Sequence, residues 1–435
     1  MNTSHQKVVI IGGGSAGITV AARLLRKGYG DVSIIEPSDT HYYQPLWTLV
    51  GGGQADIAPT ARPEASVMPK GANWIRGAAT AIDPDTNTVT CADGSTHTYD
   101  ALIVCPGIQL DWNRTEGLED AMQTSAVVSN YGFDLAPKTW DLIRKTRSGT
   151  AVFMMPSGPI KCAGAPQKIA YLASDYWRRQ GVLRDIDVHI VLPTPRMFGI
   201  PAIADGLDAV VADYGITVHT NAEITAVDSA AQKVSVSSVA EGGNDITLPY
   251  DMLHAVPRQS APDWIKASPL STGDANGYVE VDKHTMQHVR YLNIFALGDA
   301  GSTPNSKTGA AIRKQAPVVA HNLLKDLGLV MGADAIYDGY GSCPLTVELG
   351  KIVLAEFGYG GKLADKTPFV DPPEGLQWDR WLGPGPEARY SEARAHHNWR
   401  WALDYGGGQL MDWVGHHVDI AHWGMGWDDT GPYQI

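Results

Sequence analysis

Apolar runs of strand length alternate with segments of helical period along most of this chain. The first run, Val8 to Ile11, meets a cluster of glycines, then a helix-period segment from Ile18 to Leu25, then a second run ending at Glu36. Similar patterns return in "YDALIVCPGI", "GTAVFMMPSGP", residues 167–179, "DVHIVLP", "NIFALGDAG" and residues 309–327. Such alternation is typical of parallel sheets with helices on both faces. It predicts an α/β fold, doubly wound, with two Rossmann-like domains.

The order of these patterns predicts how the domains are arranged along the chain. Residues 1–117 and 285–370 are expected to form one split domain, and residues 118–284 the second. The pattern breaks near Asp371, and the last 62 residues carry seven of the 13 tryptophans and five of the 14 histidines. This shift in composition predicts that residues 371–435 are a separate α+β fragment of foreign appearance.

Composition limits the classes of function that the chain can have. With 435 residues, 44% of them hydrophobic, the chain is long enough for two or three domains. A formal net charge of -13 disfavours a nucleic-acid partner. Four cysteines do not make a disulfide scaffold, so we expect a reducing compartment and a cytoplasmic location. We find no signal-peptide pattern and no apolar run near the roughly 20 residues of a spanning helix, so any membrane contact, at the inner membrane, is expected to be peripheral.

The glycines after the first strand form a G-x-G-x-x-G pattern at the start of a helix. Gly12 permits the tight turn, Gly14 lets a pyrophosphate approach the backbone, and Gly17 allows close packing of helix and strand. Ser15 lies at the helix start, where free N–H groups and the helix dipole favour phosphate. Glu36, roughly 20 residues further on, can accept hydrogen bonds from ribose hydroxyls. Together these residues predict an adenine dinucleotide site.

A second motif favours FAD over NAD in the split domain. A late strand ends in Gly298 and Asp299, where a short carboxylate can bind a ribityl hydroxyl. The alternative interpretation of Gly298-Asp299 is an ordinary turn. Because the pair comes before the "SKTGAAIRKQA" helix, we favour a flavin-binding turn. Lys307, at the start of that helix, is predicted to lie near the flavin pyrimidine edge and to stabilise a reduced anionic flavin.

The second nucleotide-type domain lacks the features that bind a dinucleotide. After its first strand comes "PSGPIKCAGAP", which has glycines but no G-x-G-x-x-G, and its next strand ends in "VLPTP" without an acidic residue. Cys162 stands where a pyridine-nucleotide enzyme would bind its reductant. NAD(P)H is therefore not expected to be the electron donor.

Two isolated cysteines, Cys162 and Cys343, are candidates for a redox pair. They are far apart in the chain, and a two-cysteine centre needs both sulfurs within disulfide reach, which the fold would have to supply. The alternative is that each is a small buried apolar residue. Lys161 and the following helix are expected to lower the thiol pKa of Cys162. Cys91 and Cys105 are predicted to be structural.

With these residues assembled, the chain resembles the sulfide:quinone oxidoreductase family, in its mitochondrial-type branch. The resemblance covers about residues 7–370 and lies in "GGGSAGITVAARL", "HYYQPLWTLVGGG", "ARPEASVMP", "GIQLDW", "KCAGAPQKIAYL", "DKHTMQHVRYLNIFALGDA", "PNSKTGAAI" and "YDGYGSCPLTVELGKIVLAEF".

The resemblance implies an enzyme with FAD, in which Cys162 and Cys343 form a disulfide beside the flavin. Hydrogen sulfide attacks the bridge, a persulfide forms on Cys343, and the Cys162 thiolate passes two electrons to the flavin. A small acceptor (sulfite, a thiol or sulfide) then removes the sulfane sulfur. A quinone finally reoxidises the flavin.

The last 62 residues resemble a different family, the Gfo/Idh/MocA NAD(P)-dependent sugar oxidoreductases. The stretch "GGGQLMDWVGHHVDIAHW" matches that family's substrate-side motif and would bring Asp412 and His416 to a substrate. The catalytic Lys and nucleotide-binding domain of that family are missing, so we read a displaced fragment rather than a metal site, and we predict no metal. The resemblance to the quinone reductases also implies membrane-docking helices at this end of the chain, and their pattern is missing from the sequence. A sugar oxidoreductase and a flavin-binding remnant with impaired quinone turnover remain the alternatives.

Overall fold

The structure is a computed structural model that describes residues 3–240, 242–359, 371–382 and 390. The chain divides into two compact units, Met1–Leu363 and Ala364–Ile435. The strands of the described residues are β1 (Thr3–Ile11), β2 (Val32–Ile35), β3 (Thr40–Tyr42), β4 (Ala61–Pro63), β5 (Asn73–Ile75), β6 (Ala79–Asp83), β7 (Thr88–Cys91), β8 (Thr96–Val104), β9 (Gln109–Asp111), β10 (Val127–Val128), β11 (Gly149–Met154), β12 (Ile186–Val191), β13 (Thr217–His219), β14 (Ala222–Asp228), β15 (Lys233–Ser238), β16 (Ile246–Pro249), β17 (Met252–His254), β18 (Arg258–Ser260), β19 (Ile294–Ala296), β20 (Gly341–Glu348) and β21 (Lys351–Phe357). The α-helices of the same residues are α1 (Ser15–Arg26), α2 (Trp47–Gly51), α3 (Glu64–Val67), α4 (Leu118–Ala121), α5 (Ala136–Lys145), α6 (Ala165–Arg179), α7 (Pro201–Tyr214), α8 (Asp263–Lys266), α9 (Gly309–Asp326) and α10 (Trp378–Leu382).

The first sheet has seven strands and is built from both ends of the first unit. Strands β5, β2, β1 and β8 lie side by side and parallel, and β19 adds to the second half of β8. The antiparallel strands β7 and β6 extend the sheet beyond the first half of β8. Because β19 returns from a distant part of the chain, the glycine motif after β1 and the Gly298 turn after β19 lie at the same edge of the sheet.

Both faces of this sheet are covered, which explains why its central strands are continuously apolar. Val8 and Ile10 of β1 pack in a cluster with residues of α1 and α9, such as Leu24. Val9 and Ile11 point to the opposite face and pack with a cluster that includes Tyr278.

The second sheet has five parallel strands in the order β10, β17, β11, β12 and β13. Helix α6 connects β11 to β12, and its residues Ile169, Tyr171 and Trp177 are buried against the sheet. Strands β14, β15 and β16 form a separate antiparallel sheet. The strand and helix patterns of the sequence therefore correspond to real elements, and the α/β fold is as predicted.

The hairpin of β20 and β21 packs on the second sheet's helix rather than on a sheet edge. Cys343 and Leu345 of β20 are buried in the same apolar cluster as Ile169 of α6. This contact brings the end of the first unit against the loop that begins α6.

The second unit is described over residues 371–377, α10 and the single residue Tyr390. Trp378 and Trp381 stack with ring centres 4.7 Å apart, and Tyr390 meets Trp378 edge to face at 5.0 Å. Asp412 and His416 lie outside the described residues, as does most of the predicted fragment 371–435. The predicted division of the first unit at residues 117 and 285 stays a prediction.

Candidate active site

The glycine loop between β1 and α1 has the shape that a dinucleotide site requires. Gly12 has φ of +104°, and a Cβ there would lie 2.4 Å from the Cys105 carbonyl oxygen. A Cβ on Gly17 would lie 1.9 Å from the Gly12 carbonyl oxygen, so only glycine allows this packing of helix on strand. Gly14 caps α1, and no atom lies within 4 Å of the place its Cβ would take. Ser15 begins the helix beside this open space, which suits a phosphate.

Glu36 follows β2 and faces the glycine loop. Its carboxylate accepts hydrogen bonds from the N–H groups of Gly13 and Ser38, both at 2.7 Å. The structure therefore places the predicted ribose-binding carboxylate at the dinucleotide loop.

A second carboxyl group, which the sequence reading missed, lies beside Glu36. Glu64 is 2% exposed, and burial together with the Glu36 charge raises its pKa to about 7. His41 Nδ1 lies 3.3 Å from its Oε2, while burial lowers the pKa of His41. Both shifts favour the neutral form of each group, which weakens the ion pair that the 3.3 Å distance would otherwise allow.

Gly298, Asp299 and Lys307 meet at the predicted flavin turn. Gly298 has φ of +67°, and its N–H donates to Gln315 Oε1 at 2.9 Å. Lys307 is buried, and its Nζ donates to the carbonyl oxygens of Asp299 at 2.7 Å and Gly301 at 2.9 Å. Burial lowers the pKa of Lys307 to about 8. Its ammonium thus holds the turn together, and its predicted contact with the flavin stays a prediction.

These two loops fit FAD by their own geometry. The open side of Gly14 at a helix start can take the pyrophosphate, Glu36 can take the ribose, and the Asp299 turn lies at the same sheet edge. When bound, FAD would supply two-electron redox chemistry to this part of the molecule.

The fold brings Cys162 and Cys343 together. Cys162 lies in the loop before α6 and Cys343 on β20, yet their sulfurs are 3.2 Å apart. A Cβ on Gly164 would lie 2.5 Å from Cys343 Sγ, so this glycine makes room for the second sulfur. Both cysteines are free thiols here, close enough for a disulfide to form after a small movement.

Lys168 is the charged partner of Cys162. Its Nζ, on the first turn of α6, lies 3.7 Å from Cys162 Sγ. The hydrogen bond from Cys343 and the Lys168 charge lower the pKa of the Cys162 thiol despite its burial. The hydrogen bond with Cys162 raises the pKa of the Cys343 thiol, and burial raises it further. Lys161, the residue expected to act on Cys162, instead donates through Nζ to Gln44 Oε1 at 2.7 Å. The charge beside Cys162 comes from Lys168, six residues after Cys162 in the chain.

A cavity of about 380 Å³ opens onto Cys343. It lies between the start of α6, residues 194–200 and residues 304–306. Its walls are largely apolar and include Met155, Gly164, Gln167, Met197, Phe198 and Asn305. A small nucleophile can therefore reach the Cys343 side of the sulfur pair.

The other two cysteines have structural positions. Cys105 is buried under the glycine loop, with Sγ 3.7 Å from the Gly12 carbonyl oxygen, and burial raises its pKa. Cys91 is buried on β7. Neither thiol lies in an environment that would activate it.

The loop after β11 explains in structural terms why a dinucleotide is not expected there. Ser157 donates to the Glu223 carboxylate through its N–H at 3.0 Å and its hydroxyl at 2.6 Å. Arg258 forms an ion pair with the same carboxylate at 2.8 Å. A negative side chain thus occupies the donors that a phosphate would need. The sequence reading missed Glu223 because it comes from a different strand, β14.

Among the residues that the structure describes, we find no group of three or more His, Cys, Asp or Glu side chains that could hold a metal ion. The helices of the same residues include none that is long and apolar enough to cross a membrane.

The sequence profile of the family described as pyridine nucleotide-disulphide oxidoreductase matches residues 6–316. A second profile, the C-terminal alpha/beta domain of the Gfo/Idh/MocA oxidoreductase family, matches residues 334–435. This second match begins well before the predicted boundary at residue 371 and includes Cys343.

Named relatives agree with the first match. The mitochondrial sulfide:quinone oxidoreductase of Dictyostelium discoideum is 40% identical over 370 residues, 83% of this chain and 80% of the relative. The mitochondrial sulfide:quinone oxidoreductase of Mus musculus is 36% identical over 84% of this chain and 81% of its own. The solved sulfide:quinone oxidoreductase of Aquifex aeolicus superposes with a TM-score of 0.69 at 23% identity, over 80% of this chain and 83% of that one, which supports the fold. With this identity over more than four-fifths of its length, the chain belongs to the sulfide:quinone oxidoreductase family.

Proposed function

We propose that this protein oxidises hydrogen sulfide to sulfane sulfur at Cys162 and Cys343 and passes the two electrons through FAD to a quinone. The observation that carries the proposal is the pair of sulfurs 3.2 Å apart, with Lys168 beside one and a cavity open to the other. The names of the relatives supply the substrate classes, and the geometry supports a role for each residue.

The asymmetry of the pair supports a direction of attack. In a disulfide, the sulfur whose thiol has the lower pKa leaves faster, and Lys168 stabilises the thiolate of Cys162. Hydrosulfide would enter through the cavity, form a bond to Cys343 Sγ, and break the bond to Cys162 Sγ. The products are a Cys343 persulfide and a Cys162 thiolate.

The persulfide then needs a second nucleophile. A small acceptor (sulfite, a thiol or a second sulfide) would attack the outer sulfur through the same cavity and leave Cys343 as a thiolate. The two thiolates lose two electrons as the disulfide forms again, and a quinone takes those electrons through FAD. Which acceptor is used is part of the proposal.

The location of the protein follows from the proposed quinone. Long-tailed quinones lie in the bilayer, so we propose peripheral contact with the inner membrane from the cytoplasmic side. The relatives are named as mitochondrial proteins.

An anaerobic sulfide titration, followed by flavin absorbance, tests the proposal. One equivalent of sulfide together with one equivalent of sulfite as acceptor should bleach the flavin, and a soluble quinone added afterwards should restore the oxidised spectrum. Bleaching without reoxidation would support the flavin-binding remnant instead. Rapid bleaching by NADH or NADPH would contradict the proposal, because Glu223 occupies the phosphate donors of the second sheet.

A further inference from the structure

Cys162 has a backbone conformation that a cysteine rarely adopts. Its φ is +51°, in the left-handed region where a side chain crowds the backbone. Residues held in this way persist only when surrounding contacts fix them, and they concentrate at functional sites. The contacts that fix Cys162 therefore decide where its sulfur lies.

Four hydrogen bonds hold the backbone on both sides of Cys162. Its N–H donates to the Lys307 carbonyl oxygen at 2.9 Å, and its own carbonyl accepts from the Ala165 N–H at 2.8 Å. The Lys161 carbonyl accepts from the Tyr131 hydroxyl at 3.1 Å, and the Lys161 N–H donates to Gln259 Oε1 at 2.8 Å. Because each neighbouring peptide group is tied, rotation about the Cys162 backbone bonds is restricted.

Two of these four bonds come from side chains. Tyr131 follows β10 and is buried, as is Gln259 on β18, so both reach the loop from rigid parts of the fold. Burial and the two thiols raise the pKa of Tyr131 well above its ordinary value, which keeps its hydroxyl protonated as a donor.

We propose that Tyr131 and Gln259 are positioning residues that hold Cys162 in its left-handed conformation and thereby keep its sulfur beside both Cys343 and Lys168. The inference rests on the proposed function for its catalytic meaning. If the backbone relaxed to an extended conformation, the Cα–Cβ bond would turn, and Sγ would lose its 3.2 Å contact with Cys343 or its 3.7 Å contact with Lys168. The thiolate would then lose the charge that stabilises it.

The test measures the Cys162 thiol itself. Tyr131→Phe and Gln259→Leu are each made in a Cys343→Ser background, and alkylation of the Cys162 peptide is followed by mass spectrometry across pH. We expect the midpoint of alkylation to move to higher pH in both. In chains that keep Cys343, sulfide-driven bleaching should slow by roughly three- to tenfold, the usual effect of one lost hydrogen bond.

Tyr250→Phe is the matched control, because Tyr250 is also buried and its hydroxyl has no hydrogen-bond partner among the described residues. In the Cys343→Ser background, the alkylation midpoint of Tyr250→Phe should equal that of Cys343→Ser alone. In a chain that keeps Cys343, its bleaching rate should equal that of the unchanged chain. The double variant Tyr131→Phe, Gln259→Leu should show less than the sum of the two effects, since both act on one residue.

The outcomes separate this inference from the proposed function. Unchanged alkylation midpoints in both variants would overturn the positioning roles even if sulfide bleaches the flavin normally. If sulfide never bleaches the unchanged protein, the proposed function fails, yet the alkylation profiles still decide the positioning roles. Because Tyr131 and Gln259 lie in different parts of the fold, after β10 and on β18, either variant alone decides the question if the other does not fold.

Discussion

The main-chain N–H of Cys162 donates a 2.9 Å hydrogen bond to the carbonyl oxygen of Lys307. The side chain of Lys307 in turn binds the carbonyl oxygens of Asp299 and Gly301. A continuous set of hydrogen bonds therefore joins the cysteine loop to the turn that the sequence assigns to the flavin. Because Lys307 is buried and its side chain donates to both carbonyls, replacing that side chain would loosen the turn and the cysteine loop together.

Gly14→Val should give a folded protein without FAD. An added Cβ has no protein atom within 4 Å, so the backbone can accept a side chain there, but that side chain fills the path of the pyrophosphate. Flavin absorbance of the purified protein measures the result. Gly30→Val is the control, because Gly30 is equally open and lies outside the loop. Full flavin occupancy in Gly14→Val would count against the predicted site.

Cys162→Ser and Cys343→Ser should each abolish sulfide-driven bleaching while FAD stays bound. Neither variant can form the disulfide that sulfide attacks, since each lacks one of the two sulfurs. Stopped-flow absorbance at the flavin band measures the rate. Cys91→Ser, on buried strand β7, should bleach normally, and Cys105→Ser should change the rate only modestly. Reduction at the original rate in Cys343→Ser would rule out the disulfide mechanism.

Lys168→Met should make the Cys162 thiol a weaker acid. The Lys168 charge, 3.7 Å away, favours the thiolate, so its removal raises the thiol pKa and lowers the thiolate fraction at neutral pH. Sulfide-driven bleaching should fall roughly tenfold near pH 7 and recover as pH rises. Lys233→Met, at an exposed position on β15, is the control. A pH profile identical to that of the unchanged chain would contradict the role of Lys168.

Glu64→Gln should stabilise the protein at high pH. Burial and Glu36 raise the Glu64 pKa from 4.5 to about 7, so the folded chain holds this proton more tightly than the unfolded chain. Ionisation of Glu64 therefore lowers the free energy of unfolding as pH rises from 4.5 to 7, and the full decrease is reached above 7. Gln has the same shape and cannot ionise, so the substitution should add about 1–3 kcal/mol to the free energy of unfolding at pH 8 and almost nothing at pH 4.

Urea unfolding at fixed FAD content measures this difference. Glu119→Gln, on the exposed side of α4, should leave the pH dependence unchanged. Equal stabilisation by Glu64→Gln at both pH values would mean that Glu64 is already ionised in the fold.

Local patterns predicted the elements and the first loop of the site. The strand Val8–Ile11, the glycines and Glu36 lie close in the chain, and their spacing alone pointed to the loop whose geometry fits a dinucleotide. Membership of the family confirms the α/β fold, the enzyme class and FAD. The helix predicted over 167–179 begins two residues earlier, at Ala165, because the Cys162 carbonyl accepts the Ala165 N–H.

The parts that could not be predicted depend on contacts between distant strands. Lys168 lies six residues after Cys162 in the chain, and the left-handed backbone of Cys162 brings its sulfur toward that side chain. Gln259 and Glu223 contact the loop after β11 from other strands, and Tyr131 contacts it from the segment that follows β10, so no spacing rule in the sequence links them. The resemblance supplied the pairing of Cys162 with Cys343, and the fold supplied the 3.2 Å distance.

A chain ending at Val370 should keep FAD and the sulfide half-reaction. Every side chain of the candidate site lies in the first compact unit, Met1–Leu363, and the truncation keeps all of that unit. Flavin content and anaerobic bleaching should therefore match those of the full chain. Sugar dehydrogenase activity should be absent from both, because half of a two-part site cannot position a hydride donor.

Quinone turnover is the measurement that tests whether residues 371–435 contribute to activity. We expect turnover with a long-tailed quinone to be weak in both forms, because residues 371–435 match the sequence profile of another family where the resemblance to the quinone reductases implies membrane-docking helices. The full chain and the truncated chain are compared with a soluble quinone and with a long-tailed quinone in liposomes. If truncation removes the flavin, or if only the full chain reduces the long-tailed quinone efficiently, residues 371–435 are a working part of the enzyme rather than a displaced fragment.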